Sequence, residues 1–289
     1  MIQTLCLVGV GLIGGSLALD LRRKGLVREV RGVDRDALNL KDALRLGLID
    51  QGFNTLEEGL RGADWVVFST PVGSLPGLFT TLQRHYRPEV IYTDTGSTKR
   101  DVVRALEAAF GSCPARFVPG HPIAGAECSG ARSAQPDLFV GRRVILTPNA
   151  STDAQALAAV EGAWRALGAT VSSMDAAHHD EVLAATSHLP HVLAFTLTEM
   201  LGRQDEQQEI FQYAAGGFRD FTRIASSDPR MWVDICLANR QALLPLMAAY
   251  QAELGRVMEL LEAGREPELL ALFAGARDAR QRFLEQLER

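Results

Sequence analysis

Leu5-Cys6-Leu7-Val8-Gly9-Val10-Gly11-Leu12-Ile13-Gly14 is the stretch that decides the fold of this chain. A short apolar run of strand-forming residues leads into a G-x-G-x-x-G spacing. The apolar residues after it recur at helical intervals, which predicts a helix from Ile13 to Lys24. Glycines at that spacing say little alone, but between a strand and a helix they acquire a mechanism. The first allows a tight turn, the second lets the backbone approach a pyrophosphate, and the third lets helix and strand pack closely. The helix N-terminus then offers unpaired N–H groups to phosphate. Gly9, Gly11, Leu12, Ile13 and Gly14 therefore read as the phosphate end of a dinucleotide site.

Working outward, Glu29–Val33 reads as a second strand, with Asp34 at its end, twenty residues after Gly14. A carboxylate there can bond both ribose hydroxyls and repel a 2′-phosphate, which argues for NAD over NADP. Arg35 beside it cuts the other way if it accepts a phosphate, and not at all if it stacks on adenine. A helix is predicted over Asp36–Leu46, and further strands at Trp65–Phe68, Val90–Thr93, Phe117–Val118 and Val144–Leu146. Strands alternating with helices imply a Rossmann-like, doubly wound parallel sheet with helices on both faces. The texture changes near Met174. From Ala176 onward no strand is predicted and helix formers dominate, punctuated by Gly216-Gly217 and Asp228-Pro229, with Pro245 kinking or opening a helix. The expected organisation is an α/β dinucleotide-binding domain over 1–174 and an all-α substrate and dimerisation domain over 175–289. A helical half this apolar exposes a large patch when alone, so a homodimer through it is expected.

Composition narrows the function further. A formal net charge of -5 leaves no electrostatic footprint for nucleic acid, and no basic block marks a membrane surface. No apolar stretch approaches transmembrane length, and the apolar start, Met1–Val10, lacks a basic leader and reads as a strand. The four cysteines, Cys6, Cys113, Cys128 and Cys236, form no C-x-x-C pair, and unpaired thiols fit a cytoplasmic protein.

A dinucleotide fold does not name a reaction. Three other clusters carry the chemistry. Asp94-Thr95-Gly96-Ser97-Thr98-Lys99 follows a strand, where open α/β sheets bind ligands, although the same residues also make an ordinary helix cap. Gly120-His121-Pro122-Ile123-Ala124-Gly125-Ala126-Glu127-Cys128-Ser129-Gly130 is a shaped loop with His121 at its mouth. An imidazole there can take a hydroxyl proton as hydride leaves; its bland alternative is a histidine bonded to backbone. Four of the six histidines, His178, His179, His188 and His191, fall within fourteen residues. Their spacing is not H-E-x-x-H and no cysteine joins them, so no metal is expected. Later, Phe218-Arg219-Asp220-Phe221-Thr222-Arg223 offers an arginine able to clamp a carboxylate, or else a surface ion pair with Asp220 or Asp228.

These segments, in this order, resemble the prephenate and arogenate dehydrogenases: the glycine fingerprint, Asp94-x-Gly96-Ser97-x-Lys99, Gly120-His121-Pro122-Ile123-Ala124-Gly125, His179-Asp180, Ser187-His188-Leu189-Pro190-His191, and Gly217-Phe218-x-Asp220-Phe221-Thr222-Arg223. The resemblance spans nearly the whole chain. It implies NAD-dependent oxidation and decarboxylation of prephenate, or of arogenate, on the route to tyrosine. It implies His121 as the base on the ring hydroxyl and Ser97 as the residue orienting that histidine and the hydroxyl. It also implies His191 and His188 as substrate-site histidines, Arg223 as a carboxylate clamp, and Glu127 and Asp220 as gating acids. Trp232 would line the pocket, and Ser69-Thr70-Pro71 would flank the nicotinamide. Ala126 and Cys128 depart from the threonine and lysine common in relatives. No fused mutase segment or regulatory domain is recognised, so a bare catalytic unit is expected. A β-hydroxyacid dehydrogenase would need a lysine on a central helix, yet Lys41 and Lys99 are the only lysines after Lys24. A non-enzymatic NAD sensor would have no use for His121, Ser97 and Arg223 together.

Overall fold

The computed structural model describes residues 1–125, 128–205 and 209–287. The first part alternates as β1 (Ile2–Val8), α1 (Leu12–Arg23), β2 (Val27–Val33), α2 (Ala37–Arg45), β3 (Gln51–Phe53), α3 (Leu56–Gly59), β4 (Trp65–Phe68), α4 (Leu75–His85), β5 (Ile91–Asp94), α5 (Arg100–Phe110) and β6 (Phe117–Val118). The six strands form one parallel sheet in the order β3-β2-β1-β4-β5-β6, the doubly wound arrangement that the opening motif predicts. Successive residues of β1 feed opposite faces: Leu5 and Leu7 join one apolar core, Cys6 and Val8 the other. That is why the strand reads as a continuous apolar run, since both of its faces are covered.

The chain then leaves this sheet. β7 (Gly120–Pro122), β8 (Arg143–Leu146) and, after α6 (Ala154–Ala166), β9 (Thr170–Ser173) form a separate three-stranded sheet. There β7 runs antiparallel to β8, with His121 opposite Ile145, and β9 runs parallel to β8. The strand expected at Val144–Leu146 is present, in this second sheet. β3, β7 and β9 lie outside the sequence expectation because Gln51-Gly52-Phe53, Gly120-His121-Pro122 and Thr170-Val171-Ser172-Ser173 are short and carry few apolar residues. β9 is the last strand among the described residues. After it come α7 (Ala176–Leu183), a π-helical turn (Ala184–His188), α8 (Leu189–Gln204), α9 (Glu209–Gln212), α10 (Gly216–Thr222), α11 (Pro229–Ala238), α12 (Arg240–Glu262) and α13 (Glu266–Leu287).

By compactness the chain forms two units, 1–240 and 241–289. In the first, α7 and α11 pack with the sheet region: Trp232 and Ile235 of α11 join the core fed by Cys6 and Val8. The second holds most of α12 and all of α13, with Pro245 inside the first turns of α12. No helix among the described residues is long and apolar enough to cross a membrane.

Two glycines set the opening turn. Gly9 adopts φ +92°, and a Cβ on it would lie 2.5 Å from the Ser69 carbonyl oxygen. A Cβ on Gly14 would overlap the Gly9 carbonyl oxygen and sit 3.1 Å from Leu7 Cδ1. Gly14→Ala is therefore expected to lower stability by about 1–3 kcal/mol, measured by urea unfolding, because backbone must move to admit the methyl group. A wild-type midpoint would show that α1 is free to shift away from β1.

Candidate active site

α1 starts at Gly11 with no side-chain cap, so the N–H groups of its first turn are left for a ligand. A Cβ built on Gly11 meets nothing within 4 Å, so the backbone there borders open space. At the end of β2, Asp34 Oδ2 accepts from Asn39 Nδ2 at 2.8 Å and from Val10 N at 3.4 Å, and Oδ1 accepts from Asp36 N at 3.0 Å. The carboxylate is fixed by these bonds, while Arg35 beside it is exposed. After β4, Ser69 Oγ accepts from Thr95 Oγ1 at 2.9 Å, and the Thr70 hydroxyl is buried with no partner among the described residues. A glycine cradle, an open helix N-terminus, a fixed ribose-side carboxylate and hydroxyls at the ends of β4 and β5 fit a dinucleotide.

Beyond β5 lies a chain of buried polar groups. Asp180, on α7, accepts from the first N–H groups of α5: Lys99 N at 2.8 Å to Oδ1 and Arg100 N at 2.9 Å to Oδ2. The predicted turn after β5 thus ends in a helix capped by a carboxylate from elsewhere in the chain and not by its own Asp, Ser or Thr. Asp180 Oδ1 also lies 2.8 Å from His179 Nδ1, and His179 Nε2 lies 2.9 Å from His121 Nδ1. Burial works to raise the Asp180 pKa, but the bonds from His179 and the two backbone N–H groups outweigh it, and the carboxyl is held low. Burial lowers His179, although its bond to Asp180 opposes this. Burial first, then His179, Lys99 and His188, push His121 well below its ordinary value. Both imidazoles are therefore neutral near pH 7, and the tautomers follow from the partners. His179 donates through Nδ1 to Asp180, so its Nε2 accepts from His121 Nδ1–H. The bare lone pair of His121 is on Nε2.

Two further buried groups hold His121 from the main chain. The Lys99 ammonium pairs with Asp94 Oδ2 and donates to Gly120 O at 2.7 Å, and Gly120 N donates to Asp94 Oδ1 at 3.2 Å. Lys99 is thus committed to a carboxylate and a carbonyl, unlike an acid–base lysine facing a substrate.

The other expected site residues divide into groups. Ser97 sits half-buried in the turn between β5 and α5, while the Nδ1 partner of His121 is His179. His188 Nδ1 accepts from Asn239 Nδ2 at 3.0 Å, and the same amide donates to Asp180 O at 2.7 Å. Burial pulls the His188 pKa down to about 4. His191 donates through Nδ1 to Ser187 O at 2.8 Å and stacks on Trp232, ring centroids 3.6 Å apart. The Trp232 indole N–H is buried without a partner among the described residues. The π turn precedes Pro190, which has no N–H to return to the turn before it. Arg223 opens a 3-10 turn, Arg223–Ser226, that packs against α8, the helix carrying His191. Of the ion-pair partners considered for Arg223, Asp220 is exposed beside Arg219 at 3.6 Å, and Asp228 caps α11. Glu127 and Ala126 lie outside the described residues.

His179 and Asp180 stand in the sequence as a motif, but the contact of His179 with His121 spans 58 residues and no spacing announces it. Asn39 and Asn239 belong to no motif. The clustered histidines disperse, His179 onto Asp180 and His121, His188 onto Asn239 and His191 onto Trp232. Among the described residues no three His, Cys, Asp or Glu side chains converge as a metal ion would need.

Comparison with known proteins places this geometry in context. Residues 17–173 match the family model of the prephenate dehydrogenase nucleotide-binding domain, and residues 175–275 that of the prephenate dehydrogenase dimerization domain. A cyclohexadienyl dehydrogenase of Zymomonas mobilis is 36% identical over 96% of this chain and 94% of its own length. A prephenate dehydrogenase of Bacillus subtilis is 34% identical over 97% of this chain and 76% of its own. The crystal structure of prephenate dehydrogenase from A. aeolicus, in complex with hydroxyphenyl propionate and NAD+, superposes with a TM-score of 0.90 at 36% identity, covering 98% of each chain.

The buried imidazoles carry a consequence for stability. Between pH 6.5 and about 4 the unfolded chain protonates a histidine that folded His188 leaves neutral. The unfolded state therefore binds more protons in that window, and stability falls as pH falls through it. Melting temperature is expected to drop from pH 6.5 toward pH 4, and His188→Gln to flatten part of that slope. An unchanged slope in the variant would mean that His188 titrates alike in both states.

Proposed function

The chain belongs to the prephenate dehydrogenase family, and from that premise we propose that it oxidises and decarboxylates prephenate to 4-hydroxyphenylpyruvate with NAD+, using His121 as the base. The observation that carries the role of His121 is the Asp180–His179–His121 chain, which leaves a neutral imidazole with its lone pair on Nε2. A base needs that state at neutral pH, held still, and the two hydrogen bonds supply both.

When bound, the dinucleotide accepts the hydride from C4 of the substrate, and the C1 carboxylate leaves as CO2 as its electrons complete the aromatic ring. His121 Nε2 takes the ring hydroxyl proton as that hydride departs and returns it to the ring oxygen once the ring is aromatic. The developing imidazolium is stabilised through His179 by the Asp180 carboxylate. Ser97, at the N-terminal turn of α5, bonds the same hydroxyl and directs its proton to His121. Arg223 and His191 neutralise substrate carboxylates, and His188 shapes the wall behind them. Trp232 holds the His191 ring by stacking and closes the pocket with its flat face. Glu127 and Asp220 act as gating acids.

At the other end Gly9, Gly11, Leu12, Ile13 and Gly14 hold the pyrophosphate, and Ser69, Thr70 and Pro71 flank the nicotinamide. The anchored Asp34 carboxylate selects NAD over NADP, because it has no freedom to swing away from a 2′-phosphate. Arg35 lies along the adenine. Residues 1–174 serve as the cofactor domain and 175–289 as the substrate and dimerisation domain. Exposed Leu244, Leu254, Met258, Leu261, Leu270 and Phe273 in the second compact unit are the apolar surface of a homodimer, which sedimentation at twice 31.4 kDa would test. Four unpaired cysteines suit a cytoplasmic setting.

The Zymomonas relative supports a second reading, in which arogenate is oxidised too. Prephenate and arogenate differ only in a keto or amino group on the side chain. Formation of NADH or NADPH with each substrate, and with NAD+ or NADP+, decides among these readings; no turnover of either substrate would contradict both. In the same assay His121→Asn is expected to lower kcat by about 10²–10⁴ with KM largely kept. Arg223→Ala is expected to raise KM by about tenfold or more. A wild-type kcat in the first, or an unchanged KM in the second, removes that residue from its role.

A further inference from the structure

Lys99 occupies an unusual position. Its side chain is completely buried, as is that of Asp94, its ion-pair partner. Burying such a pair seldom adds stability over apolar residues of the same volume, so the pair calls for a reason beyond folding. The bonds suggest one. The ammonium donates to Gly120 O at 2.7 Å, and Gly120 N donates to Asp94 Oδ1 at 3.2 Å. The pair thus grips the amide N–H and the carbonyl of the residue directly before His121. A Cβ on Gly120 would lie 3.1 Å from Leu146 Cδ2 and 3.2 Å from Asp94 O, so glycine allows this close approach. The backbone N–H of the same lysine donates to Asp180 Oδ1 at 2.8 Å, the oxygen that also accepts from His179. Lys99 therefore touches both supports of His121, the main chain through its ammonium and the imidazole chain through its amide.

We propose that Lys99 is a positioning residue, which with Asp94 sets both the placement of His121 and its readiness to accept a proton. The proposal rests on the reading of His121 as the base. The titratable and charged groups around His121 are His179 and Asp180 on α7, Asp94 at the end of β5, Lys99 at the start of α5, and His188 in the π turn. Among them Lys99 contributes a fixed positive charge that works against an imidazolium at His121, after the larger effects of burial and of His179. It adds to the effects that keep the base free, and removing it eases protonation.

The test compares Lys99→Met with the double variant Asp94→Asn/Lys99→Met, which leaves no unpaired buried charge. The expected result is a folded protein with KM for NAD+ retained, kcat/KM for prephenate reduced by about 10², and the acid limb of its pH profile moved to higher pH. The His121 imidazole titration, followed by NMR in the same proteins, needs no substrate and is expected to move the same way. It separates failure of this proposal from failure of the prephenate reading, which wild-type and His121→Asn assays decide alone. Folded variants with wild-type kcat/KM and an unmoved His121 titration would overturn the proposal. So would a loss of activity without any shift in the acid limb or the titration, or a failure of both variants to fold, since either would assign the pair to the stability of the domain.

Discussion

The Asp180 carboxylate is the constraint on which the site depends. It accepts two N–H groups from the open end of α5 and a third hydrogen from His179, all within 2.9 Å. A helix N-terminus carries unsatisfied donors and partial positive charge, so an anion buried there is stabilised as an anion. With Asp180 ionised, His179 must present its Nδ1–H to it, and neutral His179 must accept from His121. The direction of every hydrogen in the chain follows from one charge. The same residue reaches α11, since Asn239 donates to the Asp180 carbonyl and to His188. Helix α5, His121 and His188 are tied through a single position.

This arrangement has a cost in stability. Three histidines are held against protonation, and an ion pair is fully buried beside them. Neither feature favours folding below neutral pH. Both suit the proposed role of His121 as a rigid, neutral base. The apolar cores on the two faces of the six-stranded sheet supply the stability that tolerates them.

Much of this was legible in the sequence, for identifiable reasons. Leu5 to Gly14 announces strand, turn and helix because parallel strands are apolar on both faces and the turn requires glycine. Asp34 is legible because α1 and β2, which separate it from the glycine turn, have ordinary lengths, and these fix its offset. His121 stands out through its flanking glycine and proline. What was not legible depends on contacts distant in sequence. No local pattern reports that His179 meets His121, that Asp180 caps a helix starting 80 residues earlier, or that Lys99 faces inward. β7 is hidden because a Gly-His-Pro strand violates strand preferences, and it is held by Asp94, Lys99 and the edge of β8 instead. The partners of the clustered histidines are equally non-local: His179 turns to His121, His188 to Asn239, and His191 to Trp232.

The Asp180–His179–His121 chain is tested by the tautomer of His121 in the intact protein, read from long-range proton–nitrogen correlations of nitrogen-15-labelled histidine at neutral pH. The account predicts a neutral ring protonated on Nδ1 with a bare Nε2, and a His179 ring likewise protonated on Nδ1. A His121 protonated on Nε2, or present as imidazolium, would contradict the account, because the Asp180 chain would then not be holding a base ready for the substrate's proton.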